Sequence, residues 1–232
     1  MFAAQLEVLA EERVEVVAPA LGSCGAVVER FRGTHTKVIA LSGKVDHGQR
    51  NCAEGADAIV AQGMEAGGHI GSISNFALVP GMVDAVAPVP VIAAGAISDG
   101  RGLAAALALG AQGAWIGTAF LAAEEASIND AHKAQIVSGG VSDFVPSPVY
   151  AGADVRLYRN DVVRAWQASG LKPLPGRLQR VLMEDFDAAA QAAGRYDLLS
   201  NPAGQGAGII HAVKPAGAII SEMVEVANKV LG

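Results

Sequence analysis

The chain has 232 residues, of which 51% are hydrophobic and 17% charged. That balance excludes a disordered chain, which needs few apolar residues and high charge, and it provides for a sizeable core. The net charge of −6 leaves no basic field to hold a nucleic-acid backbone. The opening Met1-Phe2-Ala3-Ala4-Gln5-Leu6-Glu7-Val8 has no basic segment ahead of an apolar core, so no signal peptide is expected. Two cysteines, Cys24 and Cys52, show neither a C-x-x-C pair nor metal-ligand spacing. Free, buried or part-buried thiols, no metal site and a cytoplasmic setting are therefore predicted.

Five short apolar runs follow, at residues 14–18, 37–41, 58–62, 91–95 and 114–118. Each is rich in Val, Ile and Ala on both faces, and continuous rather than alternating apolarity marks parallel strands covered by helices. Successive runs begin 23, 21, 33 and 23 residues apart, room for a strand, a turn, a helix and a turn. Helices are expected at residues 49–53 and 82–86 and over residues 103–109, the last with Asp99 as N-cap and Gly110 beyond its end. The most apolar stretch, residues 85–97, is broken by Pro88, Pro90 and Gly95 and is too short to cross a bilayer. The rhythm changes after Phe120: Glu124 and Glu125 open a polar stretch, and Val145-Pro146-Ser147-Pro148 reads as an irregular loop. A helix is predicted over 160–169, closed by Gly170, with a linker at 173–176. Two more helices are expected on the spacings Leu178, Val181, Leu182, Phe186 and Ile219, Ile220, Met223, Val224, Val230. The fold class is α/β with about five βα units, and the division expected is residues 1–122 for the sheet and 123–232 for a mostly helical lobe.

Glycines gather where the apolar runs end: Gly63, Gly67 and Gly68 after the third, Gly95 after the fourth, Gly117 with Thr118 after the fifth. Ligands of parallel α/β proteins sit at the carboxyl ends of strands, and glycine there admits close backbone approach. Gly95-Ala96-Ile97-Ser98-Asp99-Gly100 runs into a helix N-terminus, a setting that favours phosphate. His69 lies on the glycine-rich loop past the third run, and histidine is the residue type best suited to take or hold a proton at physiological pH, so it is a candidate proton acceptor. His35, His47, His132 and His211 are expected to be structural or incidental. Arg156-Leu157-Tyr158-Arg159-Asn160 reads as a solvated loop, with a bracing contact as the alternative. Gly204-Gln205-Gly206-Ala207-Gly208 lacks the preceding strand and the spacing of a dinucleotide fingerprint.

Gln62-Gly63-Met64-Glu65-Ala66-Gly67-Gly68-His69, together with Val91-Ile92-Ala93-Ala94-Gly95-Ala96-Ile97-Ser98-Asp99-Gly100-Arg101-Gly102, closely resembles the nitronate monooxygenase family, formerly called 2-nitropropane dioxygenase. The segments Leu107-Ala108-Leu109-Gly110-Ala111-Gln112-Gly113-Ala114-Trp115-Ile116-Gly117-Thr118 and Ala203-Gly204-Gln205-Gly206-Ala207-Gly208 extend the resemblance over nearly the whole chain. The resemblance implies an FMN-dependent TIM barrel of (β/α)8 type with a helical second lobe. His69 would be the catalytic base that takes the α-proton of a nitroalkane, and oxidation of the nitronate with O2 would yield a carbonyl compound and nitrite. The FMN phosphate would be held at Gly95, Ala96, Gly117 and Thr118, with Gln62, Gly63, Gly68, Ala94 and Gln205 also at the cofactor. The partners implied are the nitronate or nitroalkane and O2, with no nucleic acid and no membrane.

Three departures stand out. Ala96 occupies a place where the family usually has a second glycine. Leu41 stands where it often has a polar residue. Three further strands would precede residue 14 in a full member, so the barrel expected here is partial. A truncated or misplaced start, a decayed copy or a completing partner would each account for that, and an incomplete barrel predicts self-association through its open edge. The alternative readings are a related FMN-dependent NAD(P)H reductase acting on a quinone or an enoyl thioester, and a non-catalytic remnant.

Overall fold

The computed structural model describes residues 2–20, 22–175 and 177–232. In chain order the elements are α1 (Phe2–Glu11), β1 (Val16–Val17), α2 (Gly25–Phe31), β2 (Lys37–Ser42), α3 (Val45–Ala53), β3 (Ala58–Gln62), β4 (Gly68–His69), α4 (Asn75–Val86) and β5 (Val91–Ala94). Then come α5 (Gly100–Ala108), β6 (Gly113–Trp115), α6 (Thr118–Leu121), α7 (Asp130–Ser138), β7 (Phe144–Ser147), β8 (Val155–Tyr158), α8 (Asp161–Ser169), α9 (Arg177–Ala192) and α10 (Ala216–Leu231). They form two compact units, Met1–Met64 with Gly71–Ala94 and Ala105–Trp115, and Glu65–Ile70 with Gly95–Ala104 and Ile116–Gly232.

The first unit is an α/β sheet in the order β1-β2-β3-β5-β6, every neighbouring pair parallel. The five apolar runs are its five strands. Ile59, Val60 and Ala61 of β3 are wholly buried, as continuous apolarity requires of a strand covered on both faces. The first run delivers less than expected. Only Val16 and Val17 pair with β2, and Val16 is half exposed.

Helices α3 and α4 are longer than the segments predicted. They pack closely because Gly48 has no side chain; a Cβ there would overlap Met82 Sδ. A buried polar cluster joins α2, α3 and the end of β2: Asn51 Nδ2 donates to Ser42 Oγ at 3.1 Å and Asn51 Oδ1 accepts from Cys24 N at 3.2 Å. Both cysteines are free, and burial pushes the Cys24 thiol up to about 11, so it stays protonated and unreactive. Helix α1, for which no pattern was read, is tied to α2 by the ion pair Arg30–Glu7.

The second unit holds a three-stranded antiparallel sheet, β4-β8-β7. It corrects two expectations. The stretch read as an irregular loop is largely β7, and Arg156 lies in β8 at 2% exposure rather than in a solvated loop. Proline at 146 is tolerated because β7 is an edge strand of that sheet. Helix α8 starts and stops as its sequence dictates: Asn160 caps it by accepting from Val163 N at 3.0 Å, and Gly170 ends it at φ +66°.

Helix α9 forms where the apolar spacing placed it, but of the four spaced residues Phe186 packs against the core and the others do not. Gln179, Met183 and Ala190 are buried, while Leu178, Val181 and Leu182 are largely exposed. Gln179 is admitted to the interior because Nε2 donates to the Val149 carbonyl at 2.6 Å and Oε1 accepts from Leu174 N at 2.9 Å. No described helix is long and apolar enough to cross a membrane.

Candidate active site

In the first unit the carboxyl ends of β3 and β5 bring three predicted residues together. Gln62 and Ala94 are register partners, and Gly63 N donates to the Ala94 carbonyl at 2.9 Å. Ala94 and Gly63 are buried and Gln62 half-buried. The chain leaves this strand end as Met64 N, which donates to the Ile73 carbonyl at 2.8 Å.

The second unit holds the other candidates. His69 is exposed on β4, opposite Val155, and Gly68 lies opposite Arg156. Gly68 has φ +78° and Gly95 φ +111°, conformations that glycine adopts without cost. Ala96 is exposed at φ +55°, so the position where the family's second glycine would stand requires a left-handed backbone. Relieving the Cβ clash there outweighs the extra flexibility of an unfolded glycine. Ala96→Gly is therefore expected to stabilise the protein by about 0.5–1 kcal/mol in a denaturation experiment. A loss of stability would show that the strain is absent.

The start of α5 does not offer what was expected of it. The Asp99 carboxylate accepts from Arg101 N at 3.0 Å and from Gly102 N at 3.1 Å, and it pairs with the Arg101 guanidinium. These hydrogen bonds and the Arg101 charge hold its carboxyl below the usual range despite burial, which acts the other way as the largest single influence. Two of the helix's donors are thus already satisfied by an anion of the chain itself. Gly117 is exposed, with no atom near the place of a Cβ. Thr118 Oγ1 accepts from Gly204 N at 2.9 Å, which leaves its hydroxyl proton for another acceptor.

One segment ties these loops together within the unit. The stretch read as a late glycine run contains a 3-10 turn, Gln205–Ile209. Gln205 N donates to the Glu65 carbonyl at 2.9 Å, and Gly204 N to Thr118. Gly67 lies on the backbone of Ala203 and Gly204; an added Cβ would stand 2.7–2.9 Å from those atoms. A Cβ on Gly206 would overlap Ser98 Oγ and stand 2.9 Å from Ala96 Cα. The His69 loop, the Ala96 loop and Thr118 therefore meet one stretch of chain, and its glycines are required by close approach.

The residues that hold this stretch give little local signal, although a structural or incidental histidine is what was expected at 132. His132 is buried, with Nε2 3.0 Å from the Pro202 carbonyl, and Asn201 Nδ2 donates to Gln135 Oε1 at 2.8 Å. Only Asn129, which caps α7 by accepting from His132 N at 2.8 Å, gave a local signal. Burial holds His132 below the ordinary histidine range, and the Pro202 carbonyl opposes that. The unfolded chain therefore takes up this proton first. Stability should fall as pH drops below about 6.5, and the loss should level off below the folded-state value. Denaturant unfolding near pH 7.5 and pH 5 should show a smaller acid loss for His132→Gln than for the parent; equal losses would clear His132.

A cavity of about 290 Å³ in the same unit is lined by Ser98, Asp99, Gly100, Ala119 and residues of α10 and 209–214. Its lining contains neither His69 nor Gly95, Gly117 or Thr118, so the loops described above and not this cavity define the candidate site.

The nitronate monooxygenase family model matches residues 1–226. A Mycobacterium tuberculosis protein named as a monooxygenase is 39% identical over 228 residues, which are 95% of this chain and 61% of that protein. The chain thus spans less than two-thirds of that relative. Nitroalkane oxidase from Streptomyces ansochromogenes has a similar structure, with TM-score 0.88 and 28% identity over 99% of this chain and 69% of that one. FabK from Thermotoga maritima gives TM-score 0.86 and 33% identity over 97% of this chain and 72% of that one. With the glycine loops, the parallel sheet and the match over residues 1–226 in agreement, the chain belongs to the nitronate monooxygenase family.

Proposed function

We propose that this chain belongs to an FMN-dependent oxidoreductase that converts nitroalkanes or their nitronates to carbonyl compounds and nitrite with O2. The observation that carries the reading is an exposed imidazole, His69, on a short strand whose loop is bound to the same stretch, 203–206, that meets Ala96 and Thr118. In this reading the sheet is part of a (β/α)8 barrel, residues 1–122 form the flavin-binding domain, and 123–232 form the mostly helical lobe.

The chemistry of the donors fits FMN. Gly117 is open and exposed, and the Thr118 hydroxyl retains its proton for a phosphate oxygen. The Asp99 carboxylate would repel a second anion at the first turn of α5, which supports holding the phosphate at Gly95, Ala96, Gly117 and Thr118. Gln62, Gly63, Gly68, Ala94 and Gln205 would complete the cofactor contacts. The bound flavin supplies the electron exchange with the nitronate and O2. His69 takes the α-proton of the neutral nitroalkane, and the imidazolium so formed stabilises the nitronate anion.

The cofactor is expected to be FMN, because the glycine loops at 95–96 and 117–118 are read as a single phosphate cradle and the late glycine run forms a 3-10 turn without the spacing of a dinucleotide fingerprint. Chromatography of the heat-released cofactor tests this, and FAD in the supernatant would overturn it. Anaerobic mixing with NADH should leave the flavin oxidised for longer than turnover takes; rapid bleaching would instead establish an NAD(P)H reductase.

A further inference from the structure

Helix α9 turns a glutamine inward and three large apolar residues outward. Its inner face is fixed by packing. Met183 belongs to a core cluster with Tyr150, Val155, Leu157 and Val163, and Phe186 packs against that cluster. Gln179 is buried with both ends of its amide hydrogen-bonded. The opposite face carries Leu178, Val181 and Leu182, exposed at 60%, 60% and 58%. They stand at i, i+3 and i+4 and so form one patch. Single exposed apolar residues are ordinary, but a contiguous patch marks a contact surface.

The charges around the patch indicate what covers it. Arg177 and Arg180 stand in the first turn of α9, Glu184 and Asp185 stand beyond the patch, and all four are exposed. The helix has no acidic residue in its first turn and no basic residue in its last. A helix dipole favours the reverse order, so these charges do not serve the helix itself. Arg177 and Glu184, like Leu178 and Asp185, are seven positions apart and lie on one side of the helix. The pattern is its own complement when turned end for end. Two such helices laid antiparallel bring Arg177 and Arg180 of each copy against Glu184 and Asp185 of the other, with the apolar patches between them. Laid parallel, they would bring like charges together. A self-complementary surface is what a two-fold dimer requires.

We propose that the outward face of α9 is a dimerisation surface, on which a second copy of this chain docks antiparallel about a two-fold axis near Val181. The inference is independent of the reaction and of the role of His69. The patch is small and its flanking charges are exposed, so the dimer is weak, concentration-dependent and further weakened by salt.

Analytical ultracentrifugation should show a monomer–dimer equilibrium that Val181→Arg weakens by roughly tenfold or more. Two double variants test the pairing. Arg177→Glu with Arg180→Glu, and Glu184→Lys with Asp185→Lys, should each be monomeric. Their equimolar mixture should dimerise, and all four changes in one chain should restore the homodimer. These side chains are exposed, so the variants should fold. A bis-maleimide should link Val181→Cys into a covalent dimer in far higher yield than Leu231→Cys, which is exposed at 52% on α10. The parent, whose two thiols are buried or part-buried, gives the background. A monomeric parent, or equal cross-linking at 181 and 231, would overturn the proposal and leave the patch to a different protein or a further segment of chain. So would a dimer indifferent to Val181→Arg, which would place the contact elsewhere, the edge strand β1 included. A dimer that Val181→Arg breaks but neither charge pair affects would overturn the antiparallel docking.

Discussion

Replacing His69 with asparagine should slow turnover of neutral nitroalkanes by roughly 10²–10⁴-fold, the usual contribution of a positioned general base. Asparagine preserves polarity and approximate size but has no basic nitrogen. His69 is exposed on β4, so the substitution leaves no cavity and the stability of the chain should change little. Flavin content should also be retained, since the proposed phosphate contacts lie on other loops. Preformed nitronates have already lost the proton and should be turned over at close to the parent rate. Measuring kcat/KM for one nitroalkane in both protonation states separates these outcomes. Equal losses on the two forms would mean that His69 binds or packs and does not abstract a proton.

Gly67→Ala should be a damaging single-methyl change at the candidate site. Its Cβ would stand 2.7 Å from the Ala203 carbonyl carbon and 2.8 Å from Gly204 N, both backbone atoms that cannot turn aside. Overpacking of this kind costs about 1–3 kcal/mol. For a chain of this size that is a fall of roughly 3–10 °C in Tm. The methyl would also push residues 203–204 away, straining the bonds from Gly204 N to Thr118 and from Gln205 N to Glu65. Gly117→Ala is the internal control: it has nothing near its Cβ position and a negative φ, so Tm should move by no more than about 2 °C. Similar Tm values for the two variants would show that 203–206 does not pack against the His69 loop as described.

Several features of this protein could be read from its residues in order along the chain. The run Ala58-Ile59-Val60-Ala61-Gln62 is apolar on both faces and forms β3, because burial on both sides demands that composition whatever the partners are. Asn160 and Gly170 mark the ends of α8, since a cap is a contact with residues two or three positions away. The glycine and histidine motif identified the family, and Gln62, Gly63 and Ala94 do meet at neighbouring strand ends.

What the sequence left open turned on partners far away in the chain. Gln179 carries no local signal of burial, Arg156 reads as part of a solvated loop with a bracing contact as the alternative, and His132 reads only as structural or incidental. Each is buried, because a carbonyl at Val149, Phe144 or Pro202 waits for its donor group. A polar side chain enters a core only when such a partner is in place, and that condition has no local signature. The same holds for α9, where spacing marked Leu178, Val181 and Leu182 but tertiary packing took the neighbouring face. Even Asp99, correctly read as a cap, changes the start of α5 in a way only geometry could show: its carboxylate accepts from Arg101 N and Gly102 N, so two donors of the first turn are already satisfied by an anion of the chain itself.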